Sequence, residues 1–395
     1  MSSWQILYKF NQNTPNHIFS MEIHFSYYST PLWFAFIQAW IYAILLWVRS
    51  KQTGRLSDML LGLVLVGMAF NIWEYMLGFS GIEILWKQLN FFPRGFGYAF
   101  PPICYYYFKS QVDSNFRFTK KDIWNFLPFI IHTLYHVIVF SFGQGAVKTV
   151  EKNFHRPFYI PQIEIILDVV LDVYFFYRSL KLYRQYQKWT INQFSDVDAV
   201  SFKWFRNLLI ILALTFVSVY AMIIIDSIYT LDFKQDWWDK LIQGVLIYYV
   251  SIMGYAQSQP TKALTFKEPE NVVEVSHKEK FEERELTVWK NKILHLMQEE
   301  KLYLQPELSL ADISGRLRTN VSVLSGVVNN AFGKNFNDFV NEYRVKEFQE
   351  RILLPENKNI TLLGIAFDCG FNSKATFNRS FKKFTGKAPK EFLEV

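Results

Sequence analysis

Apolar positions follow two regimes along the chain. As far as about residue 258, runs of apolar residues recur with short polar stretches between them; beyond it, apolar positions thin to helical spacing. The runs lie near 31–49, 58–79, 91–111, 123–143, 159–178, 206–230 and 238–258. Each approaches the ~20 residues that a bilayer-spanning helix needs, so seven spans are expected. Pro101 and Pro102 interrupt the third run, and Gly95 and Gly97 lie nearby. A kinked helix or re-entrant segment is predicted there, because freed backbone groups need neighbours to satisfy them.

Residues 261–277 are polar and aperiodic, as a linker is. From Lys278 to Glu300 an amphipathic helix is predicted, with Phe281, Leu286, Trp289, Ile293, Leu296 and Met297 as its apolar positions. It reads either as the first helix of the next domain or as a short dimerising rod, since sustained heptads are lacking.

Further on, Leu310, Ile313 and Leu317 mark one short helix, and Val321, Leu324 and Val328 a second that closes at Gly333. Arg318–Thr319–Asn320 is the turn between them, with Asn320 as N-cap. A long helix follows over 337–354, with Phe339, Val340, Tyr343 and Phe348 apolar and Pro355 as its stop. The pattern then repeats: Leu362, Ile365 and Ala366 precede a Gly370–Phe371–Asn372 turn, and Phe377, Phe381 and Phe384 follow it. Gly370 suits a left-handed turn residue, Asn372 or Ser373 the cap, and Gly386 the helix stop. Pro389 fits the first turn of a brief last helix. Two helices joined by a tight turn form a helix-turn-helix, whose second member can enter the DNA major groove.

Composition sharpens both halves. The chain has 395 residues, 51% of them apolar and 18% aromatic, with 39 Phe and only 19% charged. That exceeds an ordinary soluble domain and matches bilayer solvent for the first half. The formal charge of +7 is ambiguous alone; its distribution is informative. Thirteen Lys and Arg fall in one alternating set of loops, from Arg49 to Arg206, and seven in the other, from Lys87 to Lys240. Positive-inside bias puts the richer set in the cytoplasm, so the N-terminus is expected outside and the C-terminal half inside. Trp33, Trp86, Trp124 and Trp237–Trp238 fit an interfacial aromatic belt. Between Lys358 and Lys390 seven Lys or Arg meet one acid, Asp368, a footprint for phosphate.

Ionisable residues fall within the apolar runs: Glu74, His132, His136, Glu164, Asp168, Asp172 and Asp226. Each costs roughly 2.5–3.5 kcal/mol at the bilayer centre unless paired or wet. His132 with His136, and Asp168 with Asp172, share a helix face by their spacing of four. A His pair facing an Asp pair can bind a divalent metal, sense protons or hold a polar ligand; an interhelical hydrogen-bond network that fixes packing is the alternative. Glu74, His132, His136, Asp168 and Asp172 are therefore the candidate intramembrane signal site, with no metal or cofactor assigned. Cys104 and Cys369 read as buried thiols without a zinc-ligand spacing. No zincin, serine-protease or phosphate-loop pattern appears, and no catalytic residue is assigned. No cleaved signal peptide is expected, and Met21 is an alternative start to Met1.

The stretch GFNSKATFNRSFKKFTG from Gly370 to Gly386, the A-P-x-E-F that follows it and the duplicated helix-turn-helix carry a family resemblance. The segment from about Lys301 to Phe392 resembles an AraC/XylS-type regulator domain. That resemblance implies seven helices in two subdomains bridged by a long helix, with each second helix in adjacent major-groove segments. Carried over residue by residue, it implies DNA contacts from Ser322, Val323, Ser325 and Gly326 in the first reading helix and from Lys374, Ala375, Asn378 and Arg379 in the second. Gly326 departs from the long polar residue common in the family, which makes the second unit the main seat of specificity. Arg379 can pair with guanine and Asn378 with adenine; Lys382, Lys383, Asn329 and Asn330 are expected on phosphate. The first half resembles, in architecture only, the seven-span sensor modules fused to such domains.

The expected fold is all-α: a seven-helix transmembrane bundle (1–258), a cytoplasmic linker and connecting helix (259–300), and a double helix-turn-helix DNA-binding domain (301–395). The expected function is that of a one-component transcriptional regulator in the bacterial inner membrane, its partners promoter DNA, the bilayer and a small or lipidic ligand. RNA polymerase and a second copy of the chain are further candidate partners. Two alternatives stand: a membrane enzyme or transporter with a regulatory DNA-binding tail, and a constitutive regulator merely anchored to the membrane.

Overall fold

The computed structural model of the chain describes residues 24–82, 91–92, 95–113, 115–197, 203–229, 231–257 and 283–393. Trp86, Lys87, Arg94, Met21 and the linker 261–277 lie outside the described residues, as does the expected start of the connecting helix at Lys278. The fold is all-α, with no β-strand among the described residues. Two units are distinguished: one of residues 1–183 and 203–265, the other of residues 184–202 and 266–395. The second unit thus takes in residues 184–202 as well as the C-terminal part of the chain.

In the first unit the helices are α1 (Thr30–Thr53), α2 (Leu56–Phe79), α3 (Phe100–Val112), α4 (Lys120–Ser141), α5 (Gln144–Val150), α6 (Ile160–Gln193), whose last turns belong to the second unit, α7 (Lys203–Tyr229) and α8 (Trp237–Ala256). Among the described residues four of them, α1, α2, α4 and α7, are long and apolar enough to cross a membrane. The third apolar run departs from the spanning helix expected. Its helix, α3, has 13 residues, about 20 Å at 1.5 Å per residue, against a hydrocarbon core of ~30 Å. Pro101 and Pro102 stand at its first positions rather than mid-helix; there a proline forfeits no hydrogen bond, so the pair starts the helix instead of kinking it. α6 and α8 have the length, but Glu164, Asp168 and Asp172 punctuate the one and Asp239, Lys240 and Gln243 the other.

Helix α1 ends where Gly54 takes φ +71° and returns its N–H to the Ser50 carbonyl. Its buried positions, Leu32, Ala35, Ala39, Ala43 and Leu46, form one narrow stripe of mostly small residues. Small side chains let backbones approach: a Cβ added to Gly244 of α8 would meet that of Ala35 at 3.4 Å. Bidentate hydrogen bonds from Arg49 to Asp58 (2.8 and 2.7 Å) tie the end of α1 to the start of α2, and Arg49 also reaches the Tyr255 carbonyl at 2.7 Å. Tyr105, Tyr106, Tyr107 and Phe108 of α3 are buried side by side. The outer faces are apolar: Phe34, Ile131, Val173, Val217 and Val245 are 59–68% exposed. So many exposed large apolar side chains are unfavourable in water and suit a lipid-facing or interaction surface.

The second unit reverses that distribution. Its helices are α9 (Glu283–Gln298), α10 (Leu310–Leu317), α11 (Val321–Phe332), α12 (Phe336–Arg351), α13 (Leu362–Asp368), α14 (Lys374–Thr385) and α15 (Pro389–Leu393). Two cores form. Ile293, Leu296 and Met297 of α9 pack with Leu310, Ile313, Leu324, Val328, Phe336 and Phe339 in the first; Leu286 and Trp289 close on its edge. The apolar face of α9 is thus spent inside this unit. Val345 and Phe348 of α12 pack with Ile365, Phe371, Phe377 and Phe381 in the second. Helix α12 therefore belongs to both cores, its first half to one and its second half to the other.

Candidate functional site

Each helix-turn-helix is built from local signals. In the first, Ser309 caps α10 in a capping box with Asp312, and Arg318 takes the left-handed conformation (φ +51°) that turns the chain. Asn320 then caps α11 by accepting from the Ser322 N–H at 3.2 Å, and Gly333 at φ +63° stops it. In the second, Thr361 caps α13, Ser373 rather than Asn372 caps α14 through the Thr376 N–H (3.1 Å), and Gly386 at φ +78° ends α14.

Gly370 is needed at the second turn for two reasons. Its φ of +92° disfavours any side chain, and an added Cβ would stand 2.6 Å from the Tyr303 carbonyl and 2.9 Å from that of Leu304.

On α14, Lys374, Ala375, Asn378, Arg379, Lys382 and Lys383 are all exposed, while Phe377 and Phe381 face the core. A single face of this helix thus carries the residues assigned to reading DNA. Lys383 has a second occupation, since its ammonium bonds both oxygens of Asp338 in the first turn of α12 at 2.6 Å. On α11, Ser322, Asn329 and Asn330 are exposed and Ser325 and Gly326 half-buried. Val323 packs against the first core, so its methyl groups are largely spent on packing rather than offered to a base.

Sequence reasoning missed the centre of this unit. Arg344 of α12 is fully buried. Its guanidinium donates to the carbonyls of Tyr303 (2.7 Å), Gln305 (2.7 Å) and Pro306 (3.3 Å) and to Ser195 Oγ (3.1 Å). Burial lowers its pKa to about 10, with Asp196 opposing the shift; it stays charged at neutral pH. Segment 194–196 is held there from several sides. The Ser195 carbonyl accepts from Asn337 (2.6 Å) and Asn341 (3.3 Å), its N–H donates to the Leu308 carbonyl (3.0 Å), and Phe194 makes an isolated antiparallel bridge with Ser309. The available signal was a cation in the apolar stripe of α12, at i+4 from Val340 and i−4 from Phe348; nothing in Phe194–Ser195–Asp196 marked a docking segment.

Beside Arg344, burial pushes the Glu347 carboxyl up, but hydrogen bonds from Tyr303 (2.7 Å), Arg351 (2.7 Å) and Lys301 (3.2 Å) outweigh it and hold the group below its usual value. Burial raises the Cys369 thiol to about 12, which leaves it an inert core group.

In the first unit a cavity of about 320 Å³ is lined by all five residues of the candidate intramembrane site, Glu74, His132, His136, Asp168 and Asp172, and by Glu164. The pairing inside it differs from a His pair facing an Asp pair. His132 Nε2 is 3.5 Å from Glu164 Oε1, and the His136 Nδ1 bonds the His132 carbonyl at 2.9 Å. Asp172 instead accepts from the Tyr220 hydroxyl at 2.6 Å. Glu164 lies one turn before Asp168 on the same face, a spacing legible in the sequence.

Residues 302–394 match the family described as "Helix-turn-helix domain", and the C-terminal segment is an AraC-type helix-turn-helix domain. Over 92 residues, 23% of this chain, it is 30% identical to uncharacterized HTH-type transcriptional regulators of Staphylococcus aureus strains COL, MSSA476 and N315. The match spans about an eighth (12%) of the length of those relatives. No solved structure matches the chain.

Proposed function

We propose that the chain is a membrane-embedded one-component transcriptional regulator. It binds promoter DNA sequence-specifically through its two helix-turn-helix units and answers a signal taken up by the membrane half. The observation that carries this reading is α14, a capped helix whose exposed face is cationic and amide-bearing and whose other face is locked in the core. The excess of Lys and Arg in one set of loops supports a cytoplasmic DNA-binding domain in a bacterial inner-membrane protein. The apolar exterior of the first unit supports immersion in lipid, and its polar cavity supports a signal site in the bundle.

Residues 184–197 belong to the same unit as the DNA-binding domain. They include the last turns of α6, the helix that carries Glu164, Asp168 and Asp172, and Ser195 just beyond it is bonded to Leu308, Asn337, Asn341 and Arg344 of the DNA-binding domain.

The test is selection of random duplexes by the full chain in lipid nanodiscs. Enrichment of one site by the wild type and its loss in Arg379→Ala is the expected result; equal selection by the two chains refutes sequence reading by α14. For sensing, residues 1–258 would be exchanged for an unrelated seven-span bundle in a reporter strain. A promoter response that survives the exchange refutes sensing by this segment.

A further inference from the structure

We propose that His132, His136 and Glu164 form a binding site for a divalent transition-metal cation of the zinc class, open to the cavity of the first unit. As the identity of the signal this rests on the regulatory reading above; as a binding site it does not.

The geometry is that of a set of donors already gathered. One ligand atom from each residue lies within 4.8 Å of the other two. Zinc bonds of about 2.0–2.2 Å in tetrahedral geometry place donors roughly 3.3–3.5 Å apart, and His132 Nε2 and Glu164 Oε1 stand at 3.5 Å. Bringing in His136 closes a gap of about 1 Å on that scale. The two histidines are one turn apart on α4, with ring centroids 4.0 Å from each other.

Orientation is fixed around the donors as well. The His136 Nδ1 is bonded to the His132 carbonyl, so this nitrogen carries the proton and Nε2 keeps its lone pair, the arrangement that sets a ligating tautomer. The ring of Phe91 stacks on His136 at 5.0 Å and that of Tyr98 meets His132 edge-on at 4.9 Å. Both imidazoles are thereby restrained without loss of the ligating face.

Charge points the same way. The cavity holds four carboxyls, on Glu74, Glu164, Asp168 and Asp172, and one ammonium, that of Lys240, which is paired with Asp239 at 2.8 Å. A cation is the natural complement of such a wall. Two imidazoles and one carboxylate select zinc, nickel or cobalt over magnesium or calcium, whose preferred ligands are all oxygen. Three protein ligands leave a fourth position, to which Asp168, one turn on from Glu164, or a water has access. Glu164 lies in the second turn of α6 and His136 in the last turns of α4, so both stand near the ends of their helices.

The experiment uses the full chain in nanodiscs, stripped with chelator and dialysed. Titration with Zn²⁺ should give one tight equivalent per chain, and Co²⁺ should give the strong visible absorption of a four-coordinate site. The double variant His132→Gln/His136→Gln and Glu164→Gln should each weaken binding by about tenfold or more, whereas Asp232→Asn, an exposed carboxyl outside the cavity, should keep it. Equal binding by wild type and the double variant overturns the site. Should the variants fail to accumulate, X-ray absorption on the zinc-loaded wild type decides alone: two imidazole ligands uphold the proposal, and none overturns it. A chain that binds Zn²⁺ while its promoter output ignores the metal keeps the site and loses only the identity of the signal.

Discussion

Helices α11 and α14 are both twelve residues long, both capped by a side chain that accepts from a backbone N–H of the first turn, and both stopped by a glycine at positive φ. Their outer faces have little in common. α14 presents Lys374, Asn378, Arg379, Lys382 and Lys383; α11 contains no charged residue at all, and of its four positions expected to read bases one is glycine and one packs into the core. The fold of the reading unit has been duplicated without its chemistry. Capping and core burial are enough to place a helix, and what it reads depends on side chains that contribute nothing to placing it.

The largest test of that comparison strikes the placing and not the reading. Gly370→Ala puts a Cβ against two backbone carbonyls at positive φ. Backbone strain of about 1–3 kcal/mol and overpacking of a similar size should together unfold the second helix-turn-helix or leave it highly labile. Limited proteolysis of the full chain should then open the 362–393 region first. Gly333→Ala, at positive φ but with nothing within 4 Å of the new Cβ, should cost about 1 kcal/mol and leave the cleavage pattern unchanged. Equal lability of the two variants would mean that close approach at Gly370 does not matter.

Next in size is the reading itself. Arg379→Ala should weaken binding to the selected site by roughly 5–150-fold, the equivalent of about 1–3 kcal/mol, and relax the preference at one guanine. The matching change on α11, Ser322→Ala, should move affinity by within about 0.5 kcal/mol. A footprint and competition assay in fixed salt checks both. A greater loss from Ser322→Ala than from Arg379→Ala would reverse the assignment of specificity to the second unit.

Much of the second unit was legible in the sequence, because its determinants are local. The spacing of Leu310, Ile313 and Leu317, the Asn320 cap and the glycines at 333, 370 and 386 each specify conformation within a turn or two of themselves. The apolar runs of the first half were legible by length, yet α3 came out short, because Pro101 can begin a helix as readily as interrupt one and composition alone does not distinguish the two. Contacts distant in sequence stayed hidden. Ser195 is 149 residues from Arg344, and only the cation in the apolar stripe of α12 hinted that something polar had to meet it. Glu164 shows the intermediate case: its face on α6 could be read from spacing, but its partner on α4 could not.

The smallest effect separates two adjacent lysines of α14. Lys382 is exposed with its ammonium directed by no ion pair among those described, whereas Lys383 is held by both oxygens of Asp338. A lysine that neutralises a phosphate releases a counterion, so its removal lowers the slope of log K against log salt by about 1. Lys382→Ala should show that full decrement, with affinity lowered evenly across sequences. Lys383→Ala should show less, because the ammonium removed was already neutralised within the protein, and the Asp338 carboxylate it leaves behind repels the phosphate instead of releasing anything from it. Binding isotherms of the full chain at four or more salt concentrations distinguish the two. Equal decrements would mean that the pair with Asp338 opens when DNA arrives, and that Lys383 belongs to the contact surface after all.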